Sequence, residues 1–399
     1  MTSEKTLIRR AVLLGAFALG AFAVTACNSP KASPTAAQTP SPALLIAIQG
    51  VDQRALEIAD PLTMKVVGRV PLGGNPHIVA AAADGKLAFV AINNGGGRPG
   101  RSRVEMDTPR QDYISVIDLA AQKELRRVET GLGSFPHDIV YTGGKVYVTT
   151  EGYQSILRYD PASDQIDWRM GVGQIHPHAF AISKDAKKIF TSNEFAGSVA
   201  AITSLDPYAL EPSTADPKSP WKVTAIPAGK EPEGIGLSPD EKEVWVANKL
   251  DQGRVSSVSI IDAATLKVTQ TLNLDLESPT DLRFTPDGKR VLIVAHYSGE
   301  VSVLDVATRK EIKRIQVGKP GHDYQVAIEV GGDRAFRNGI DMEPENGIQR
   351  FVIAPDGSHA YLTVSGSDRI AIIDLKTLEE TGSIPVGDGP EGIAWAERK

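Results

Sequence analysis

The chain has 399 residues with 37 glycines, 26 prolines, 6% aromatic residues and a formal net charge of −6 at pH 7. That mildly acidic balance disfavours nucleic acid as a partner, because nonspecific binding needs a basic surface. The single cysteine, Cys27, excludes an intrachain disulfide, so packing must supply the stability.

Residues 1–26 read as an export leader rather than as fold. Lys5, Arg9 and Arg10 form a positive start, and the apolar run from Ala11 to Ala23 is short for a membrane span. Val24, Thr25 and Ala26 before Cys27 resemble a bacterial lipobox, which implies a lipidated Cys27 as the new amino terminus. The alternative is an ordinary secretory signal cleaved nearby, and both predict export. Removing the leader takes away three basic residues and one acidic one, making the remainder more acidic. Residues 27–42 hold the lipidated cysteine and a Pro/Ser/Thr/Ala tether, NSPKASPTAAQTPSP, expected to be an extended spacer. The expected location is the bacterial cell envelope, lipid-anchored, on its periplasmic or extracellular face. Asn28 is compatible with outer-membrane sorting, since the inner-membrane retention signal resembles Asp at that place.

From residue 43 to 399 a unit of about 40 residues recurs, built from four short β-branched runs punctuated by Gly, Pro and Asp. The segments LLIAIQG, ALEIAD and MKVVGRVPLG come first and supply a second, third and fourth strand. Blade one starts at His77 and resumes at Asp112 after an insertion. Blade two starts at Pro136, blade three at His176, and blade four at Pro232. Blade five, PTDLRFTPDGKRVLIVAHYSGEVSVLDVATRKEIKRIQVG from Pro279, is the cleanest copy, and blade six resumes at Ile348. The final EGIAWAE supplies the first strand that the amino-terminal fragment lacks. The prediction is an all-β, seven-bladed β-propeller whose last blade closes with three strands from one chain end and one from the other, leaving no open edge. Trp221, Trp245 and Trp395 fall in strands and are expected to pack between blades.

The second strands read YVTT to Thr150, FTSN to Asn193, WVAN to Asn248 and YLTV to Val364; the third strands end in Asp118, Asp262, Asp305 and Asp374. This pattern resembles the YVTN-repeat, YncE-like β-propeller family over essentially all of residues 44–399. The resemblance implies the fold and leaves function open, since the same blade recurs in quinoprotein amine dehydrogenases, sugar lactonases and nitrous oxide reductase. The four aspartates are expected to hold the turn after strand three through backbone amides. Asp84, Asp287 and Asp356 start Asp-Gly turns on the bottom face.

The turns before strand one and between strands two and three share the top face. The residues at the mouths of the first strands are His77, His137, His178, Glu233, Thr280, Gln349 and Glu391, which blade geometry brings around the central channel. His176 and His322 are expected to approach the same mouth, and His296 lies in a top loop of blade five; His359 follows a bottom turn. Three imidazoles with carboxylates suit zinc, copper or iron. The expected ligand set is therefore His77, His137, His178, Glu233 and Glu391, against a solvated polar ring as the alternative. Two insertions point to the top face. Residues 93–111 carry Arg98, Arg101, Arg103 and Arg110, and residues 322–347 carry Arg334 and Arg337. The first reads as a guanidinium lid over an anionic ligand or as a solvated loop, and the second, which mixes these arginines with Asp333, Asp341, Glu343 and Glu345, as a ligand-binding loop or a disordered one. GxSxG is absent, and no catalytic residue is assigned. The leading expectation is a noncatalytic envelope module that binds a protein or small molecule through its top face. The alternative is a metal-dependent enzyme or redox accessory, a lactonase-like hydrolase or an oxidase, because IHPHAFAISKDAK (175–187) resembles the HPHxxxxSPDG blades of lactonases.

Overall fold

The computed structural model describes residues 41–50, 52–94, 111–204, 220–249, 256–317, 329–330, 333–334 and 347–398. The leader, Cys27, the tether to residue 40, Arg98, Arg101, Arg103, Arg110, His322 and Arg337 lie outside the described residues. Arg334 belongs to a short strand, Asp333–Arg334, paired with Glu329–Val330.

Seven four-stranded antiparallel sheets form the propeller. Their first strands are Pro76–Ala81, Pro136–Thr142, Pro177–Ile182, Pro232–Leu237, Pro279–Phe284, Ile348–Ile353 and Pro390–Arg398. Each touches the next around a closed circle, which places them about the channel. Second strands such as Lys145–Thr150, Glu243–Asn248 and Arg290–Ala295 are buried after their first residue, because both faces meet a neighbouring blade. Fourth strands such as Lys267–Leu274 are exposed along most of their length and carry polar residues. This gradient explains why inner strands read as continuous apolar runs while outer strands do not.

The apolar interior divides into seven clusters, and each joins two adjacent blades. Alternate residues of one strand serve two interfaces: Leu45 packs toward blade one, whereas Leu44 and Ile46 pack toward blade six. Trp221 and Trp245 are buried in such interfaces, and Trp395 packs partly against another. The ring closes as expected. Ser41–Ile48 pairs antiparallel with Pro390–Arg398, with Leu44 opposite Trp395 and Ile46 opposite Ile393. Blade seven therefore has the order Lys65–Pro71, Ala55–Asp60, Ser41–Ile48, Pro390–Arg398.

The repeated aspartates act as turn residues. Asp118 accepts the amides of Ala120 and Ala121, Asp262 those of Ala264 and Thr265, Asp305 that of Thr308, and Asp374 those of Lys376 and Thr377. In the bottom turns, Asp84, Asp287 and Asp356 accept the amide two residues on, and the following Gly85, Gly288 and Gly357 have φ near +70°. Gly85 alone of these three lies against the closing strand: a Cβ there would sit 1.7 Å from the Glu397 carbonyl oxygen, whereas at Gly357 the nearest atom is 3.6 Å away. Gly357→Ala should thus cost only the left-handed backbone penalty, about 1 kcal/mol, and Gly85→Ala about 3 kcal/mol because the closing strand must also shift. Urea unfolding of the two variants checks this, and equal losses would contradict the tight closure.

Candidate metal centre

One backbone hydrogen bond recurs in every blade and builds the top face. The first residue past each second strand donates its N–H to the carbonyl of the residue just before that blade's first strand. The pairs are Gln49 to Gly389, Asn93 to Asn75, Glu151 to Phe135, Glu194 to His176, Lys249 to Glu231, His296 to Ser278 and Ser365 to Gly347, all at 2.9 to 3.1 Å. Four non-glycine acceptors, Phe135, His176, Glu231 and Ser278, hold φ between 48° and 58°. Each costs about 1 kcal/mol, and the strain persists because the turn must bring strand two back beside strand one. Two rings of side chains result, one just inside the first strands and one just past the second.

The first ring is the one read from the sequence. His77 and His137 have ring centroids 4.1 Å apart, and His137 and His178 3.8 Å. His77 Nδ1 lies 3.8 Å from Glu391 Oε1, and His178 Nε2 lies 3.9 Å from Glu233 Oε1. His137, His178, Glu233, Thr280 and Glu391 are buried. Hydroxyls in the second strands fix the mouth of the next blade: Thr149 donates to the His178 carbonyl, Ser192 to that of Glu233 and Thr363 to that of Glu391, at 2.7 to 2.8 Å. These are the third letters of YVTT, FTSN and YLTV, so part of the repeat motif positions the site residues.

The second ring contributes groups that the sequence reading missed. Glu151 Oε1 is 3.7 Å from His137 Nε2, and its Oε2 is 3.5 Å from His176 Nε2. His176 Nδ1 is 3.1 Å from Glu194 Oε2. Lys249 bonds Glu194 at 2.7 Å and also pairs closely with Glu233. His137, Glu151 and His178 each offer a donor atom, all within 4.8 Å of one another. His296 stands in blade five with Nδ1 3.3 Å from the Ile348 carbonyl, and His359 bonds Ser358 beside a bottom turn. Just below the mouth, Asp138 and Asp281 accept the amides of Phe180 and Phe351 in the following blades, and Arg350 donates to the Thr280 carbonyl.

Burial governs the protonation states. It pushes His137 and His178 well below the usual imidazole range; His178 reinforces this for His137, as Arg350 does for both. Burial also raises Glu151 to about 7, with His176 opposing and Glu194 and Glu233 assisting. Burial raises Glu233 despite Lys249, whereas for Glu194 it is overcome by Lys249 and His176, which hold that carboxyl below its ordinary value. Lys249 is held above its ordinary value by Glu233 and Glu194, against burial. Burial is likewise outweighed at His176, which its bond to Glu194 and the charge of Glu151 raise. Removing the one cation that both buried carboxylates share should be costly. Lys249→Met is expected to lower the unfolding free energy by about 3 kcal/mol, and adding Glu194→Gln and Glu233→Gln should restore most of it. Denaturant titration of the single and triple variants checks this.

Comparison with known proteins follows the fold. No curated protein matches the chain. Among solved structures, a functionally unknown protein from Desulfotomaculum acetoxidans aligns with a TM-score of 0.63 at 12% identity, covering 90% of this chain and 100% of that one. A Bacteroides uniformis protein provisionally named 6-phosphogluconolactonase aligns at 0.62 and 16%, covering 90% and 100%. Kuenenia stuttgartiensis hydrazine synthase aligns at 0.58 and 18%, covering 79% and 88%. At these identities the likeness shows the fold alone, carried by proteins of diverse function. The profile of the YNCE-like beta-propeller family matches residues 126–329, just over half of the 399 residues, and the chain belongs to that family.

Proposed function

We propose that this chain is a lipid-anchored propeller of the bacterial envelope that binds one divalent transition-metal ion at its channel mouth and presents it to a small-molecule ligand. The observation that supports it is the convergence of His137, Glu151 and His178, with the Nδ1 atoms of both imidazoles buried and without a hydrogen-bond partner. Leaving a buried nitrogen unsatisfied costs about 1–3 kcal/mol, and a bound ion would satisfy such atoms. Neutral imidazole is the ligating form, and burial already keeps both rings neutral. Two imidazoles and a carboxylate suit zinc, iron or copper. Four carboxyl groups, Glu151, Glu194, Glu233 and Glu391, gather at the mouth with Lys249 and His176 beside them.

The favoured ligands differ in part from those expected from sequence. His137 and His178 remain, and Glu151 takes the carboxylate role, since Glu233 is engaged by Lys249. His77 packs on His137, and His176 reaches the second oxygen of Glu151; both would orient the ligands. The envelope location rests on Cys27 and the tether.

Residues 28–399, loaded with zinc and passed through gel filtration, should carry about one metal ion per chain, and the His137→Ala/Glu151→Ala/His178→Ala variant none. Metal in neither protein, or equal metal in both, would overturn the reading. The pH dependence is also specified. Below pH 7 the metal displaces one proton, from Glu151, because His137 and His178 are already deprotonated. Affinity for cobalt, followed by its visible absorption, should fall about fivefold between pH 7 and 6 and about tenfold per unit below pH 6, whereas two imidazoles titrating near their ordinary value would take it toward a hundredfold per unit there.

A further inference from the structure

We infer that the ligand presented to this ion joins a metal-coordinating head to an apolar body about the size of one ring, seated on a rim formed by the top loops of blades two and three. The inference rests on the metal reading above. Among the described residues, the large apolar side chains exposed at the top face are Tyr153, Ile175 and Phe195 on its loops, 44%, 48% and 53% exposed, and Leu132 at the end of blade one's fourth strand, 64% exposed. Ile175 and Phe195 stand beside His176, which reaches Glu151, and Tyr153 and Leu132 continue the rim outward. Phe195 lays its ring on His176, with centroids 4.2 Å apart. Ile175 precedes His176 in the chain, and Tyr153 lies two residues past Glu151. The Tyr153 hydroxyl donates to the Leu132 carbonyl at 2.9 Å, and the Arg169 guanidinium covers its ring at 5.2 Å.

The rim is held by the same backbone that holds the site. Glu151 N–H bonds the Phe135 carbonyl, Gly152 N–H that of Ser134, and Glu194 N–H that of His176. Gly152 is required by this contact, since a Cβ there would lie 2.0 Å from the Gly133 carbonyl oxygen. Apolar side chains fixed next to a few convergent polar groups are the composition of a small-molecule site. Four partly exposed side chains are far fewer than the roughly 20–30 residues a side of a stable protein interface, which favours a small ligand over a protein.

Two chelators with the same head separate the rim from the metal. Acetohydroxamate and benzohydroxamate differ by an apolar ring, and each can be titrated against the cobalt-loaded chain of residues 28–399 by visible absorption. Both should bind, benzohydroxamate about tenfold more tightly. In Ile175→Ser/Phe195→Ser the acetohydroxamate affinity should stay within about twofold while the benzohydroxamate advantage disappears, and Tyr153→Ser alone should reduce that advantage. Cobalt binding with equal affinity for the two hydroxamates, or with neither bound, would overturn the rim while leaving the metal site standing. A concentration-dependent dimer that Phe195→Ser abolishes would overturn it in favour of self-association. Failure to bind cobalt would overturn both readings.

Discussion

The top face depends on a single hydrogen bond made seven times, from the residue just past strand two to the carbonyl of the residue that precedes strand one. It ties the exit of one strand to the entrance of another within each blade. That tie fixes two rings of side chains at set heights around the channel. Glu151, Glu194 and Lys249 occupy the donor end of this bond in blades two, three and four, and His176 occupies the acceptor end in blade three. The left-handed backbone at Phe135, His176, Glu231 and Ser278 shows that the turn persists against residue preference. Pairing of strands two and one and burial of their apolar faces more than offset those local costs.

The blades that matter most are neighbours. Ring closure through Ser41–Ile48 and Pro390–Arg398 sets blade seven against blade one, so Glu391 meets His77, and the sequence continues through His137 and His178 to Glu233. Apolar clusters between every adjacent pair give each first strand a rigid backing. Inside that frame the polar groups divide into two sets. Lys249 compensates Glu194 and Glu233, whereas burial keeps His137 and His178 neutral and raises Glu151 to about 7. The first set is an ionic brace, and the second is the set proposed to hold the metal ion.

The blades were legible because their strand patterns follow from burial: inner strands sandwiched between blades become apolar, outer ones polar, and the turns need Asp and Gly. The first ring was legible as well, since a proline opens six of the seven first strands and points to the residue behind it. Of the second ring only His296 was placed on the top face. Gln49, Asn93, Glu151, Glu194, Lys249, His296 and Ser365 share a backbone role but no side-chain chemistry, so no motif marks them. Their only signal is position, the residue following YVTT, FTSN or WVAN. The sequence reading accordingly named Glu233 and Glu391 as carboxylate partners and passed over Glu151, whose approach to His137 depends on that turn.

The most direct test of the account is anomalous diffraction from crystals of residues 28–399 soaked in zinc, recorded on both sides of the zinc absorption edge. The account predicts one strong peak among His137, Glu151 and His178. A peak elsewhere on the propeller, or none at the channel mouth, would contradict it.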